Sequence, residues 1–446
     1  MKQVIPKILV LLFTLTSAVF IALIPINAFE ESNELKITLD EKAGSVYVYS
    51  YDADRVLYCS NPHEKIPPAS SAKIMTGLLV CEIYADKLDE SIEITDGMLK
   101  GHTGTSMGLR VGMTVTVKDL LYGTVCGGNN DASIALAVAC AGSVDAFVKE
   151  MNILANRLYM KNTHYENPSG LDDKDAFTTL SDTALLIHKA AANEIYMSAS
   201  SAAYFDFTPK GEEMVTVNNR NALVNRFSAQ GYTNKHTRGI ISGNTDDGGY
   251  TLATFAEKSG ASYLCLVMGA QADGEHIYSY YTVNQILDLV FDQYSYVKAI
   301  SAGDVLDSCE VAFAVSDGDK ARLNAVLKND LYIFTTSDID VKKDLKYVTY
   351  YHSDELRAPI SKGSVIGGID VYYGDILMGR AKLVAAESIQ PNSILSFLDA
   401  MKSFMLGRTF IIALIVFFPL LAIYIATESR RSRHKKVETL YFNKFS

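Results

Sequence analysis

The sequence predicts an α/β (α+β) sandwich of one antiparallel sheet and packed helices, followed by a small all-β domain and a C-terminal membrane helix. Three observations carry this prediction. Strand-like segments lie at both ends of residues 35–291, with helical segments between them. Past about residue 294 the helical period is lost, and strand-like segments follow one another across short turns. Residues 409–426 then form an eighteen-residue stretch without a charge.

The elements can be taken in order. Residues 36–39 and 45–51 are rich in β-branched and aromatic side chains, with turn residues between, and read as strands. Residues 71–84 read as a helix with Ile74, Leu78 and Cys81 on one side. Leu79, Val80 and Ile83 are apolar on other sides, which predicts a helix buried all round. Residues 117–122, the alanine-rich 131–141, 144–158 and 180–192 add further helices. Residues 251–255 and 262–268 read as paired strands across Lys258-Ser259-Gly260, and 277–291 as a closing helix. In the second region 309–315, 331–335, 346–351, 365–372 and 378–385 are strand-like. Turns such as Tyr373-Gly374-Asp375 separate several of them.

The two ends differ from the rest. Residues 1–28 carry Lys2 and Lys7, no acid, an apolar run over 8–26 and a small residue at Ala28. That is the layout of a cleaved secretory signal. As a helix, residues 409–426 would be about 27 Å long, close to a hydrocarbon core of roughly 30 Å. Pro419 is tolerated in such a helix. Arg430, Arg431, Arg433, Lys435 and Lys436 follow, which places the C-terminus in the cytoplasm. The expected organisation is a signal at 1–28, a catalytic-type domain at 29–293, an all-β domain at 294–392, a connector at 393–408, a membrane helix at 409–427 and a basic tail at 428–446. The expected protein is single-pass in the cell membrane, with its ectodomain on the extracytoplasmic side.

A length of 446 residues fits two or three domains, at about 100–200 residues each. With 48% hydrophobic and 21% charged residues, the chain is neither disordered nor fibrous. Its net charge of −10 argues against nucleic acid as a partner. The signal accounts for two bases, and the chain past residue 408 for six bases and two acids. Residues 29–408 are left with 33 bases and 49 acids, a net −16. Six cysteines at wide spacing, with no C-x-x-C pair, read as buried free thiols. The eight histidines show no paired metal spacing, so neither a metal nor a cofactor is expected.

The chemistry concentrates in Pro67-Pro68-Ala69-Ser70-Ser71-Ala72-Lys73-Ile74-Met75-Thr76. Ser70 and Lys73 stand three apart at the start of the predicted helix, on one face. A serine hydroxyl needs a base to become a nucleophile. A lysine shielded from water can be that base once its pKa is lowered. Ser295-x-x-Lys298 and Ser432-x-x-Lys435 share the spacing, so the surroundings decide.

Those surroundings resemble the low-molecular-mass penicillin-binding proteins, in their serine D-alanyl-D-alanine carboxypeptidase branch. The resemblance rests on Ala43-Gly44-Ser45-Val46-Tyr47, the Ser70 stretch, Gly104-Thr105-Ser106-Met107-Gly108-Leu109 and Asn129-Asn130-Asp131-Ala132. It continues through Asn167-Pro168-Ser169-Gly170-Leu171, Thr179-x-x-Asp182 and Asn219-x-Asn221-x-Leu223, all in family order. It implies a penicillin-binding, β-lactamase-like transpeptidase fold and an acyl-serine mechanism built on S-x-x-K, S-x-N and K-T-G. The implied roles are Ser70 as nucleophile, Lys73 as base and Asn130 as the group orienting lysine and substrate amide. Ser242 and Gly243 would line the strand side of the cleft. The implied partners are a peptidoglycan stem peptide and β-lactams as covalent ligands, with the membrane reached through the C-terminal helix.

Two positions depart from the pattern. Gly128 stands where the second motif has its serine, and Ile241 where the third has its lysine. A lost proton relay typically costs about 10²–10⁴ in rate. A lost charged hydrogen bond costs about 1.5–3 kcal/mol. The expected activity is trimming of the terminal D-alanine. The alternative is a catalytically weakened or inactive penicillin-binding-protein homologue that binds wall peptides or acts as a scaffold.

Overall fold

The structure, a computed structural model, describes residues 29–315 and 321–442. The expected signal at 1–28 lies outside the described residues. The chain divides into two compact units, residues up to 295 with 334–337, and the remainder.

The sheet of the first unit runs Ser32–Asn33, Arg55–Ser60, Ser45–Ser50, Ala261–Ala270, Gly249–Lys258 and Thr237–Thr245. Every neighbouring pair is antiparallel. Successive side chains on a strand point to opposite faces. Tyr47, Tyr49, Leu264, Leu266 and Ile241 accordingly enter one core. Val46, Val48, Tyr263, Cys265 and Leu252 enter another. A strand covered on both faces reads as a continuous apolar run. That is why all of Ser45–Ser50 is buried.

Helices Val117–Val125, Asn130–Ala141, Val144–Arg157 and Leu180–Ala191 pack around Ala72–Ile83 on the first face. Helix Tyr278–Gln293 covers the second. Ala72–Ile83 is buried from Ala72 through Cys81, as its all-round apolarity requires. Local capping sets several of the starts. Thr116 and Asp119 form a capping box, and Ser143 and Thr179 accept from Ala146 N and Asp182 N.

Residues 36–39 are not a strand. The Asn33 side chain bonds both the carbonyl and the amide of Ile37, and Lys36 has φ near 51°. That local turn competes with strand pairing, and the edge strand is Ser32–Asn33 instead. Helix Glu194–Ser201 and the hairpin Tyr204–Phe207 with Val215–Asn218 are further elements the pattern did not indicate.

The second unit holds a six-stranded sheet in the order Leu345–Tyr351, Val365–Tyr373, Ile376–Ala385, Ala321–Leu327, Val305–Ala312 and Leu356–Arg357. Leu323, Ile369, Val371 and Leu383 lie in its core. Residues 393–406 are helical, with Asn392 capping the amides of Ile394 and Leu395. A second helix runs Arg408–Phe442 through Pro419. Within it, Phe410–Arg431 is long and apolar enough to cross a membrane. An antiparallel sheet with packed helices, an all-β unit and a terminal apolar helix is the fold class the sequence predicts. All six cysteines are free, four buried and Cys140 and Cys309 half-buried.

Phe147 is fully buried among the helices of the first unit. Phe147→Ala is expected to cost about 3–5 kcal/mol, read as a lower urea midpoint for unfolding.

Candidate active site

Ser70 sits in the 3₁₀ turn Ala69–Ser71 that leads into helix Ala72–Ile83. Both Ser70 and Lys73 are 5% exposed. The Lys73 amine donates to the Ser169 carbonyl at 2.6 Å. Burial, and then the nearby Arg220 charge, push that amine down to about 7. A buried ammonium without a full counter-charge sheds its proton more readily. At neutral pH a large share of Lys73 is therefore neutral.

The segment Asn167-Pro168-Ser169-Gly170-Leu171 is shaped to bring that carbonyl inward. Asn167 Oδ1 accepts from Ser169 N at 3.2 Å and Leu171 N at 3.0 Å. The Pro168 carbonyl accepts from the Thr76 hydroxyl at 2.7 Å, one helical turn beyond Lys73. Gly170 has φ of 71°, and a Cβ there would collide with the Ala69 carbonyl. Only glycine lets this loop lie against the nucleophile turn.

Asn130 begins helix Asn130–Ala141. Its side-chain amide donates to the Thr103 carbonyl at 2.7 Å, and its main-chain amide to the Thr105 carbonyl at 2.8 Å. The neighbouring Asp131 carboxylate gathers Ser106 Oγ at 2.6 Å, with Met107 N and Leu109 N. This fastens residues 103–109 to the helix start.

The opposite wall is strand Thr237–Thr245. A Cβ at Gly243 would collide with Ser70 Oγ, so the strand passes in contact with Ser70. Ile241 lies two residues earlier, on the same side, and is buried in the helical core. Ser242 is 7% exposed, and its hydroxyl lies 2.6 Å from that of Tyr280.

One side chain lies beside Gly128 and reaches the strand at Gly243, two residues past Ile241. A Cβ at Gly128 would lie 2.9 Å from Arg220 Cδ, and one at Gly243 would lie 3.6 Å from Arg220 Nε. The stem of Arg220 thus occupies the space beside Gly128, and its guanidinium reaches Gly243. Thr105 Oγ1 accepts from Arg220 at 2.7 Å and Asn244 Oδ1 at 3.0 Å. Its neighbours hold the backbone. Asn219 donates to Ser200 O and Ala202 O at 2.8 and 2.7 Å. Asn221 donates to Gly239 O at 2.9 Å, and Arg220 N to Cys126 O at 2.9 Å. The sequence reading singled out Asn219-x-Asn221-x-Leu223 and passed over its middle residue. That motif was the available signal.

Other candidates lie elsewhere. Arg238 is exposed and stands 3.7 Å from Glu257. Glu166 is bound to His164 at 2.8 Å. The Cys126 thiol is buried and pushed up to about 12 by that burial, so it is no nucleophile. No group of three metal-binding side chains occurs among the described residues.

Residues 30–272 match the family described as D-alanyl-D-alanine carboxypeptidase. That span is more than half of the chain. This chain belongs to the D-alanyl-D-alanine carboxypeptidase family. Residues 294–391 match the C-terminal domain of penicillin-binding protein 5. The chain is 30% identical to the D-alanyl-D-alanine carboxypeptidase DacA of Escherichia coli K12, over 78% of this chain and 83% of that one. It is 27% identical to DacF of Bacillus subtilis, over 89% and 97%. The fold is shared with the D-alanyl-D-alanine carboxypeptidase DacD of Francisella tularensis, with TM-score 0.56, 24% identity and coverage of 81% and 96%. It is shared also with the peptidoglycan synthesis regulatory factor PBP3 of Streptococcus pneumoniae, with TM-score 0.59, 19% identity and coverage of 79% and 100%.

In this carboxypeptidase-family chain, the turn Ala69–Ser71 depends on Gly170. Gly170→Ala is expected to displace Ala69 and Ser70 and to cost about 3 kcal/mol. Loss of fluorescent-penicillin labelling together with a lower melting temperature checks this.

Proposed function

We propose that this family member removes the terminal D-alanine from peptidoglycan stem peptides through an acyl-serine on Ser70. The observation that carries the proposal is the buried Lys73 amine, held one helical turn from Ser70 and poised near neutrality. Neutral Lys73 takes the Ser70 proton, and Ser70 Oγ attacks the carbonyl carbon of the penultimate residue. The amides of Ser70 and of the strand just past Gly243 face the oxygen that gains charge. Lys73 returns the proton to the leaving amine, the C–N bond breaks, and D-alanine departs. Water then attacks the acyl-serine, with Lys73 again as base, and Ser70 is restored.

Arg220 supports this reading at the leaving-group end. A guanidinium fixed by Thr105 and Asn244 offers a charge-assisted pair to a terminal carboxylate. It supplies the charge that Ile241 lacks. Asn130 orients the lysine and the substrate amide, and Ser242 and Gly243 line the strand side. β-Lactams, which present an activated carbonyl and a carboxylate, fit the same groups as covalent ligands. Helix residues 410–431 and the cations after them support a single-pass anchor with the ectodomain outside.

Gly128 favours a second reading, acylation with poor turnover in a wall-peptide binder. No hydroxyl stands at position 128 to relay the proton, and Lys73 must deliver it unaided. The full-length protein in detergent, given a diacyl-D-Ala-D-Ala peptide, separates the two. D-alanine release above a Ser70→Ala control is expected. Penicillin labelling without release would establish the second reading, and neither would sink both.

The acid limb of kcat/KM is expected to rise through a pH of about 7, because Lys73 must lose its proton to act. Arg220→Gln removes a cation that lowers the Lys73 pKa, so the limb should move to higher pH. The same variant should raise KM by roughly 10–150-fold, the cost of one charged hydrogen bond. Steady-state kinetics across pH check both.

A further inference from the structure

The phenol of Tyr280 lies under the cleft and is 4% exposed. Its oxygen is 2.6 Å from Ser242 Oγ, accepts from Ala222 N at 3.2 Å and donates to the Arg220 carbonyl at 3.2 Å. The ring stacks on Tyr232 at 5.0 Å between centroids. Tyr232 is itself bound to Ile277 N at 2.8 Å, so the Tyr280 ring is held in place. The Ser242 carbonyl would stand 3.8 Å from a Cβ at Gly128, which puts the Ser242 main chain beside Gly128.

A phenol has one hydrogen to give. With that hydrogen on the Arg220 carbonyl, Ser242 donates to Tyr280 and can only accept from the cleft. With it on Ser242, the serine's own hydrogen is released toward the cleft. The serine then changes from acceptor to donor without any heavy atom moving.

We propose that Tyr280 is a positioning residue for the substrate's terminal carboxylate. It holds the Arg220 main chain and the Ser242 hydroxyl on one pivot, and its proton turns Ser242 into a donor when an anion binds. This rests on the reading that Arg220 faces that carboxylate.

The test uses the full-length protein in detergent and the acylation rates of benzylpenicillin and its methyl ester. Their ratio reports recognition of the carboxylate alone. Tyr280→Phe keeps the ring stack and removes the hydroxyl. The ratio is expected to fall about tenfold, with the ester rate little changed. Ser242→Ala should lower the same ratio from the other end of the bond. In a Ser242→Ala background, Tyr280→Phe should add almost nothing. An unchanged ratio in Tyr280→Phe would overturn the proposal. So would equal losses for acid and ester, or a full further drop in the Ser242→Ala background. If the ratios behave as expected but no D-alanine is released from peptide, the peptidase reading fails and the role of Tyr280 stands.

Discussion

The bond from the Lys73 amine to the Ser169 carbonyl organises the molecule. An ammonium taken out of water is costly, and here the cost is offset by one carbonyl and by a proton that leaves near neutrality. To bury that amine, Ala72–Ile83 must be enclosed by other helices, which is why it is apolar on every side. To bring the carbonyl in, residue 170 must lack a side chain. Ala69 is held at φ of 45°, a region few non-glycine residues adopt. Strain of that kind persists where the surrounding packing over-determines the backbone, and here it adjoins the nucleophile.

Arg220 ties the chemistry to the electrostatics. The same cation that would hold a carboxylate also lowers the pKa of Lys73. One cation thus bears both on the space beside Gly128 and on the protonation of Lys73. This matters because residues 29–408 carry a net charge of −16, so the surface does not itself attract an anion. The positive charge in the cleft is local, and Thr105 and Asn244 fix it in place. A single arginine cannot also act as a proton relay, because it does not deprotonate in proteins. The guanidinium beside Gly128 and Gly243 is therefore a fixed cation, and the titrating amine of the cleft is Lys73.

Much of the fold was legible because periodicity is local. Residues 45–51 and 262–268 read as strands, and Ser45–Ser50 and Ala261–Ala270 are the two central ones. The failures were also local in origin. Residues 36–39 have strand composition, but the Asn33 side chain folds them into a turn. The hairpin Tyr204–Phe207 with Val215–Asn218 has only four residues in each strand, too short a run to stand out.

The sequence by itself determined that Ser70 and Lys73 stand three apart at the start of a buried helix, since spacing and all-round apolarity are properties of a single segment. It also determined that Gly128 and Ile241 lack the groups their family pattern carries. Only the tertiary structure decided what stands in those places. Arg220 is 92 residues from Gly128 along the chain, yet its Cδ would be 2.9 Å from a side chain there. The turn held by Asn219, Asn221 and the Cys126 carbonyl brings it there. Tyr280 meets Ser242 only because helix Tyr278–Gln293 packs on the second face of the sheet. Contacts between distant segments depend on how the elements pack, and no local spacing records that.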